Sequence, residues 1–373
     1  MIVESIETFL IDQVAMVRVR TDDGIDGYGQ TAPFAPEQTI DTLHALVAPF
    51  FVGQDPWDLE VLIDRCLREQ YKFPSTFIYR ALCGIDTAIW DVLGKATGQP
   101  VYKLLGGKHR DKIPVYASSM SRSISPAAEA ERIQELRETN GFRAAKVRLG
   151  NNMGRDRDTS PGRTEALIPH MRRALGDDFE LCADANGGFS AAHAIKIGRI
   201  LEENNYYHFE EPCPFPLYEE TARVADALDI PVAGGEQDNS LEQFQRMINR
   251  RVVDIVQPDI GYLGGMSRAR KVAGMADIAG IPCTPHCSNT SMLQIFVMHL
   301  VASMPACTHY QEWGIESGWK MDGMYSPMPK VIDGYLVVGD DPGWGIQLNK
   351  SILEHGALRM THVKDGAIAG GMR

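Results

Sequence analysis

The stretch Glu180-Leu-Cys-Ala-Asp-Ala-Asn186, followed by two glycines, sets the pattern on which much of the chain is built. It is a short, mostly apolar run that ends in one acidic residue, Asp184. Successive runs of this kind lie about 25 residues apart, the length of a strand, a helix and two loops. The spacing predicts a βα repeat that carries ionisable residues at its strand ends. Five later runs end in this way, at Glu210, Glu236, Asp259, His286 and Glu312.

The repeat runs from Ile113 to about residue 316 and favours a (β/α)8-type barrel, a fold of the α/β class. Earlier strands are predicted at 113–118 and 144–149. A doubly wound parallel sheet is the alternative. Ionisable residues at nearly every strand end fit a closed barrel better, because all the strand ends then face one mouth. Helices are predicted between the strands at 126–139, 163–175, 191–204, 217–228, 240–250, 266–279 and 289–304.

Segments of a different pattern flank the repeat. Residues 1–112 read first as alternating strands and then as amphipathic helices, so they are predicted to form an α+β domain. Residues 317–373 suggest a meander around 330–338 and a helix near 349–355. We expect this last segment to return to the first domain. The predicted division of the chain is therefore 1–112, 113–316 and 317–373.

The composition limits the partners and the location of the protein. A net charge of −12 argues against a nucleic-acid partner. No apolar run approaches the roughly 20 residues that a membrane helix needs, and the N-terminus lacks the pattern of a signal peptide. The seven cysteines are scattered, and those in apolar runs are expected to be buried and reduced. We therefore expect a cytoplasmic protein that uses neither a membrane nor a nucleic acid.

Asp184, Glu210 and Glu236 are predicted to be metal ligands. Each ends one of three consecutive strands, so a barrel would bring their side chains together at its mouth. Three carboxylates this close repel each other strongly unless a cation lies among them. Oxygen ligands with room for water suit Mg²⁺, and Mn²⁺ is the alternative. For any one of these acids taken alone, a solvated loop residue is the simpler interpretation.

Two basic residues and a histidine are predicted to face the same mouth. Lys146 and Arg148 are two apart on one strand, so both point into the barrel. There they pair either with the metal carboxylates or a substrate, or within a structural ion-pair network. Asp259 and His286 end neighbouring strands, and an acid beside a histidine fixes its tautomer and makes it a better base. The arrangement predicts a histidine base opposite a lysine.

Two further positions have roles that the sequence leaves open. Glu312 ends the last strand and either hydrogen-bonds a substrate oxygen or caps the barrel. Asn186 lies two residues beyond Asp184 on the same face of the chain. It is a candidate contact to the substrate, and a purely structural place in the turn is the alternative.

Together these motifs resemble those of the enolase superfamily and, within it, the mandelate racemase-like group with its acid-sugar dehydratases. The likeness spans nearly the whole chain. It implies a capping domain on a modified (β/α)7β barrel, a bound Mg²⁺, and association into a homo-oligomer, a dimer or an octamer. The segments that resemble the family's three metal-ligand motifs, its histidine–aspartate dyad and its enediolate-stabilising acid are Leu-Cys-Ala-Asp184-Ala-Asn, Phe-Glu210-Glu-Pro, Gly-Gly-Glu236, Val-Gln-Pro-Asp259, Thr-Pro-His286 and Gln-Glu312.

Two features depart from the family pattern. The family's Lys-x-Lys on the second strand is Lys146-Val-Arg148 here, and an arginine is a poor base because it stays protonated. Only about Phe9 to Ala15 separates the first two strands, so the loop that usually covers the substrate is short. The long 150–162 loop, with Arg155, Arg157 and Arg163, either leans over the mouth in its place or is a solvated or subunit-contacting loop.

The resemblance and its departures favour dehydration of a small carboxylate substrate, an aldonate or an aldarate, to a 2-keto-3-deoxy acid. His286 would remove the α-proton and then assist the β-hydroxyl as it leaves, with Lys146 as an alternative base. Lys146 and Mg²⁺ would stabilise the enediolate, since an α-proton is otherwise too weak an acid. The alternatives are racemisation, epimerisation or lactone cycloisomerisation within the superfamily, and a non-catalytic metal-stabilised barrel outside it.

Overall fold

A five-stranded antiparallel sheet and a ring of parallel strands organise the chain in the computed structural model. The structure describes residues 1–73, 76–316, 323–354, 359–364 and 367–372. The antiparallel sheet begins with β1 (Val3–Ile11), β2 (Val14–Thr21) and β3 (Asp26–Gln30). These strands pair in sequence, so the meander predicted for the start of the chain is confirmed.

Helices follow these strands and cover the sheet. The longest is α3 (Thr76–Thr97), which packs along β3 and is buried over most of its length because apolar residues lie on nearly all of its faces. Its centre supplies two buried acids, Asp86 and Asp91. The other helices of this region are α1 (Pro36–Thr42), which continues as single π and 3₁₀ turns to Phe50, α2 (Leu59–Glu69) and α4 (Val101–Leu104).

Seven parallel strands follow: the first six pair in succession, and the seventh pairs with the first. Their spatial order is β10-β4-β5-β6-β7-β8-β9. An eighth segment, Cys283–His286, lies beside β9 and bridges to it at Val256–Cys283 and Asp259–His286. The strands are β4 (Lys112–Ser118), β5 (Ala144–Arg148), β6 (Glu180–Asp184), β7 (His208–Glu210), β8 (Val232–Gly234), β9 (Ile255–Val256) and β10 (Gln311–Gly314).

The seven predicted helices between these strands agree with the observed boundaries within three residues, whereas the short helix at Ile260–Leu263 was not predicted. The first of them shows how the sequence sets its ends: Ser125 accepts a hydrogen bond from the Ala128 amide, with Pro126 in the first turn, and Gly141 ends that helix at φ 73°. The chain therefore forms a (β/α)7β barrel, as expected. These helices are α5 (Pro126–Asn140), α6 (Arg163–Leu175), α7 (Ala191–Glu203), α8 (Tyr218–Ala227), α9 (Leu241–Asn249), α10 (Ile260–Leu263), α11 (Met266–Ala279) and α12 (Met292–Ser303).

The C-terminal segment divides between the two sheets. Its described elements are β11 (Tyr325–Ser326), β12 (Tyr335–Val337), β13 (Gln347–Leu348), α13 (Lys350–Glu354), β14 (Arg359–Lys364) and β15 (Ala367–Met372). β14 pairs with β1 and extends the first sheet to the order β15-β14-β1-β2-β3. The meander predicted around 330–338 is wrong: β12 is a single strand, and it pairs antiparallel with β4 of the barrel.

A tight turn before β12 explains why these residues do not form a meander. Ile332 and Tyr335 bridge across it, and the following residues lie along the exposed edge at the start of β4, where backbone groups are available for pairing. Of the helix predicted near 349–355, α13 covers residues 350–354, and residue 355 lies outside the described residues. The division of the chain at 112/113 and 316/317 stays a prediction.

Direct hydrogen bonds fix the antiparallel sheet and α3 against the barrel. The Trp90 indole donates to Ser267 Oγ over 2.9 Å, and Asp86 accepts from the Ser267 amide at the start of α11. Burial raises the pKa of Asp86 to about 7. Gln30 at the end of β3 donates to Ser291 Oγ and accepts from the Met292 amide at the start of α12. The loop that follows β3 is thereby held beside the carboxyl ends of the barrel strands.

A histidine that links the first sheet to its C-terminal strand makes stability dependent on pH. His44 contacts Thr8 Oγ1 at 3.0 Å and Thr361 Oγ1 at 2.7 Å, and burial, with the charge of Arg359, lowers its pKa from 6.5 to about 4. Between these two values the unfolded chain binds a proton that the folded chain does not. Acidification across this window therefore destabilises the fold, by up to about 3 kcal/mol.

We expect His44→Gln to remove this part of the acid sensitivity. Thermal unfolding of the wild type and the variant should be compared at pH 7.5 and pH 4.5, and the midpoint of the wild type should fall more. His109→Gln changes an exposed histidine and is the matched control. Equal shifts in all three proteins would show that His44 is not the source.

Candidate active site

Three carboxylates converge at the mouth of the barrel. Asp184 and Glu210 are the last residues of β6 and β7 and pair with each other in register, and Glu236 follows β8 by two residues. Each offers an oxygen within 4.8 Å of those of the other two, and all three side chains are buried. The register of parallel strands places these oxygens together because successive strand ends stand side by side.

The three carboxylates fit a divalent cation. Burial and the charge of Glu210 raise the pKa of Glu236, so this carboxylate is disfavoured as an anion unless positive charge lies nearby. An all-oxygen set with space for water is the ligand chemistry of Mg²⁺.

Lys146 lies beneath this cluster and is fully buried. Its Nζ is 2.7 Å from Glu210 Oε1, 3.0 Å from Glu312 Oε1 and 3.6 Å from Asp184 Oδ2. Burial alone would lower the pKa of Lys146, but the charges of Glu210 and Glu312 raise it well above its ordinary value. Lys146 is thus enclosed by three carboxylates and does not line the cavity, which counts against its use as a base.

Arg148 and Asn186 form one hydrogen-bonded network beside the cluster. Arg148 pairs with Asp184 and donates to Asn186 Oδ1 over 2.9 Å, and Arg122 donates to the same oxygen over 2.5 Å. The Asn186 amide nitrogen donates to Asp184 and to Glu211, each over 3.2 Å. Asn186 has a left-handed backbone, φ 41°, so its turn role and its place in the mouth occur together.

His286 and Asp259 meet across the bridge that joins their strands. His286 Nδ1 is 2.6 Å from Asp259 Oδ2, and Nε2 is 3.4 Å from Glu236 Oε2. Burial alone would lower the pKa of His286, but Glu236, Glu312 and Asp259 raise it to about 10. A divalent cation held by Glu236 would offset part of this negative charge. The pKa of His286 would then fall toward the range of a base.

Glu312 is a buried anion at the centre of several donors. Its two oxygens accept from Ser118 Oγ over 2.7 Å and from the Cys287 amide over 3.0 Å. Burial opposes ionisation, but Lys146 and His286 lower its pKa to about 2. These contacts tie the last barrel strand to the first, which suits the capping alternative, and they leave the role toward a substrate as a prediction.

A cavity of about 480 Å³ opens above these residues. Four of the predicted site residues line it: Arg148, Asn186, Glu236 and His286. Lys146, Asp184, Glu210, Asp259 and Glu312 surround it from below or from the side. Further lining residues are Phe34, Met120, Arg122, Asn152, Met153, Gly187, Glu211, Phe215, Gln237, Tyr262 and Ser288. A second cavity, of about 500 Å³, lies between β12 and α12, away from the carboxylates.

Sequence reasoning missed several of these residues. Glu211 follows Glu210 directly, and Gln257, which donates to Glu210 Oε2 over 2.9 Å, stands two residues before Asp259. Glu211 and Gln257 lie within the predicted motifs Phe-Glu210-Glu-Pro and Val-Gln-Pro-Asp259, so their places in these motifs could have identified them. Arg122 and Phe34 lie in loops of irregular sequence, and only the folded chain brings them to the mouth.

The two loop expectations have clear outcomes. The β1–β2 connection is a hairpin of Asp12 and Gln13 alone, so the covering loop is short, as expected. The 150–162 loop does reach the mouth, through Asn152 and Met153. Two of the basic residues named with this loop have other partners: Arg157 Nε donates to the Gly154 carbonyl and Arg163 Nη1 to that of Arg148.

Family models match both parts of the chain. Residues 2–106 match the mandelate racemase / muconate lactonizing enzyme N-terminal domain, and residues 128–352 match the enolase C-terminal domain-like family. The barrel, its capping sheet and the three converging carboxylates define the same class. The chain therefore belongs to the enolase superfamily, in the mandelate racemase-like group of enzymes.

Two curated relatives cover most of the chain. The arabinonate dehydratase of Saccharolobus solfataricus is 29% identical over 92% of this chain and 90% of its own length. The D-galactarolactone cycloisomerase of Agrobacterium fabrum is 28% identical over 91% of this chain and 89% of its own length. One relative is thus a dehydratase and the other a cycloisomerase, and their sequence identities to this chain are nearly the same.

Two solved structures are similar over essentially the whole chain. A candidate racemase from Roseobacter denitrificans is 45% identical, with a TM-score of 0.92 and full coverage of both chains. A mandelate racemase/muconate lactonizing protein from Paracoccus denitrificans PD1222, solved with magnesium, is 29% identical, with a TM-score of 0.89 and coverage of 98% and 99%. Within the described residues, no helix combines the length and apolar character of a membrane span.

Proposed function

We propose that this enzyme removes the α-proton of a hydroxycarboxylate and eliminates water from it, converting an aldonate or aldarate to a 2-keto-3-deoxy acid. The observation that carries the proposal is His286, paired with Asp259 and lining a cavity whose floor is the carboxylate cluster. The dehydratase among the relatives supports the same reaction. Asp184, Glu210 and Glu236 would hold the Mg²⁺.

His286 carries the proton transfers. Nε2 takes the α-proton, and the electrons of the C–H bond pass into the carboxylate, which becomes an enediolate. Those electrons then form the C2–C3 double bond as the C3–O bond breaks, and the same nitrogen returns the proton to the departing hydroxyl as water. Asp259 on Nδ1 holds the tautomer and stabilises the imidazolium. The enol product tautomerises to the 2-keto acid.

The remaining residues stabilise charge and position groups. Mg²⁺ at the three carboxylates would supply positive charge to the enediolate. Lys146 holds the carboxylates of Glu210 and Glu312 in place, and Arg148 holds Asp184 and Asn186. Asn186, at the cavity wall, is then the proposed contact to a substrate oxygen.

The arrangement favours one base over two. A racemase or epimerase of the two-base kind needs a second base on the opposite face of the α-carbon. Arg148 stays protonated, and Lys146 is held by three carboxylates beneath the cavity. Elimination needs only His286. Racemisation, epimerisation and cycloisomerisation remain the rival reactions, because the cycloisomerase relative is 28% identical to this chain and the candidate racemase structure is 45% identical.

A panel of aldonates and aldarates in D₂O, with Mg²⁺ and the full chain, tests the reaction. ¹H NMR should show the loss of the C2 proton together with a new 3-deoxy signal from the 2-keto acid. Exchange of the C2 proton without loss of hydroxyl would identify an epimerase instead. No metal-dependent change in any hydroxycarboxylate, with deoxygenated acids such as 2,3-dihydroxyhexanoate included in the panel, would favour the non-catalytic alternative.

We also infer a cytoplasmic location, a homo-oligomeric state and no nucleic-acid partner. All seven cysteines are free and buried, which suits a reducing compartment. The net charge of −12 disfavours nucleic acid. Mn²⁺ is expected to substitute for Mg²⁺ because it accepts the same oxygen ligands. Light scattering would distinguish a dimer or an octamer from a monomer.

A further inference from the structure

Three large apolar side chains stand at the outer level of the active-site cavity. Phe34, Met153 and Phe215 all line it, and they are exposed by 46%, 51% and 37%. We call them the apolar rim. Phe34 follows β3, Met153 lies in the loop after β5, and Phe215 lies in the loop after β7. The rim therefore comes from loops beyond the strand ends, whereas the charged floor comes from the strand ends themselves.

Two rim residues are fixed in unusual backbone conformations. Phe34 has φ 70° and Met153 has φ 49°, and residues with bulky side chains rarely adopt left-handed values. The Phe34 amide donates to the Gln13 carbonyl in the short β1–β2 hairpin, over 3.0 Å. The Met153 amide donates to the Asn186 carbonyl, over 3.0 Å. The fold thus holds these apolar side chains at the mouth, even though the strained backbone and the exposure both oppose this placement.

The chemistry of the cavity is accordingly divided between two levels. Arg148, Asn186, Glu236 and His286 form the polar wall at the level of the proposed reaction, together with Arg122, Glu211 and Gln237, which bond to Asn186 or Glu236. Beyond them, the rim offers carbon surface, with Asn152 and Ser288 as neutral polar neighbours. Hydroxyls placed against carbon surface lose their hydrogen bonds to water without replacement, whereas an apolar group gains by leaving water.

We propose that the substrate is hydroxylated at the carbons next to its carboxylate and carries an apolar alkyl or aryl group at its far end, which packs on Phe34, Met153 and Phe215. This inference rests on the proposed dehydration reaction and revises its substrate: the reacting end keeps the hydroxyls of an aldonate, and the far end does not. It selects a tail-deoxygenated hydroxy acid over a sugar acid that is hydroxylated along its whole length.

The test compares two acids of equal chain length and identical configuration at C2 and C3. One is a hexonate with hydroxyls on C4 to C6, and the other is the corresponding 2,3-dihydroxyhexanoate. Binding to the Mg²⁺-loaded full chain is measured by calorimetry, and kcat/KM by NMR. We expect both Kd and kcat/KM to favour the alkyl acid by about tenfold or more, since each buried methylene contributes about fourfold.

Variants locate the source of the preference. Phe34→Asn keeps a residue that tolerates the left-handed backbone, and it should reduce the alkyl preference by about fivefold in both measurements. Phe73→Asn changes a phenylalanine that is 55% exposed and lies outside the residues lining the cavity, and it should keep the preference. Met153→Asn, also at a left-handed position, provides an independent second variant that should act as Phe34→Asn does.

The outcomes separate this inference from the proposed reaction. A wild type that binds and turns over the hexonate better, with the same ratio in Phe34→Asn and Phe73→Asn, would overturn the rim assignment and leave the dehydration intact. Absence of C2-proton loss from both acids, with the alkyl acid still bound more tightly, would overturn the reaction and retain the rim assignment.

Discussion

His286→Asn is expected to lower kcat for dehydration by at least about 1,000-fold, because it removes the group that carries the proton in both directions. Asparagine is similar in size and keeps a hydrogen-bonding partner for Asp259, so the fold should be retained. The measurement is ¹H NMR of product formation and of C2-proton exchange in D₂O. Both signals should be lost together, since both depend on the same proton removal.

The matched control is His170→Asn, which changes a histidine of α6 outside the residues that line the cavity. It should retain wild-type turnover, and circular dichroism should show both variants folded. If His286→Asn kept full turnover, His286 would not be the base, and Lys146 would return as the alternative. Loss of dehydration with continued C2-proton exchange would place His286 at the departure of the hydroxyl alone.

Glu236→Gln is expected to weaken Mg²⁺ binding by at least about 100-fold and to lower turnover at fixed Mg²⁺ in parallel. Glu236 is the member of the carboxylate cluster that lines the cavity, and its Oε1 accepts from Gln237. A neutral amide keeps the shape of the side chain but supplies less negative charge to a hard cation. Calorimetric titration of the metal-free chain with Mg²⁺ measures the affinity directly, without reference to any substrate.

Glu165→Gln, on the exposed face of α6, is the charge-matched control and should bind Mg²⁺ as the wild type does. Chelation with EDTA should abolish turnover in the wild type, and added Mg²⁺ should restore it. If Glu236→Gln bound Mg²⁺ with unchanged affinity, the cluster would not be the metal centre. If Glu236→Gln bound Mg²⁺ with the affinity of the wild type but lost turnover, the role of Glu236 would instead be to hold His286, which lies 3.4 Å away, in position.

Much of the barrel could be predicted because its signals are local. Glycines at both helix ends, together with apolar periodicity, placed α6 and α11 at the residues where the structure has them. The C-terminal segment was harder. β12 is three residues long, and its partner, the start of β4, is more than 200 residues away, so nothing in its own sequence specified that pairing. The edge available to it exists only once the barrel has formed.

The candidate site also has features that the sequence predicted and features that only the folded chain shows. The βα spacing was enough to bring Asp184, Glu210 and Glu236 to one mouth, because parallel strands in register must align their ends. The spacing also placed Asp259 beside His286. It did not show that Lys146 lies beneath the cavity rather than in its wall. That depends on three carboxylates enclosing Nζ, which is a matter of side-chain packing in three dimensions.

The sequence by itself determined the superfamily, the convergence of the three carboxylates and the histidine–aspartate pair, since each follows from the type of residue at a repeated position. Only the tertiary structure decided what surrounds the substrate. Phe34, Met153 and Phe215 come from three separate loops with no common pattern, and long-range hydrogen bonds to Gln13 and Asn186 fix two of them. The positions of these loops depend on the strands that they connect, so the local sequence does not show where the loops come together.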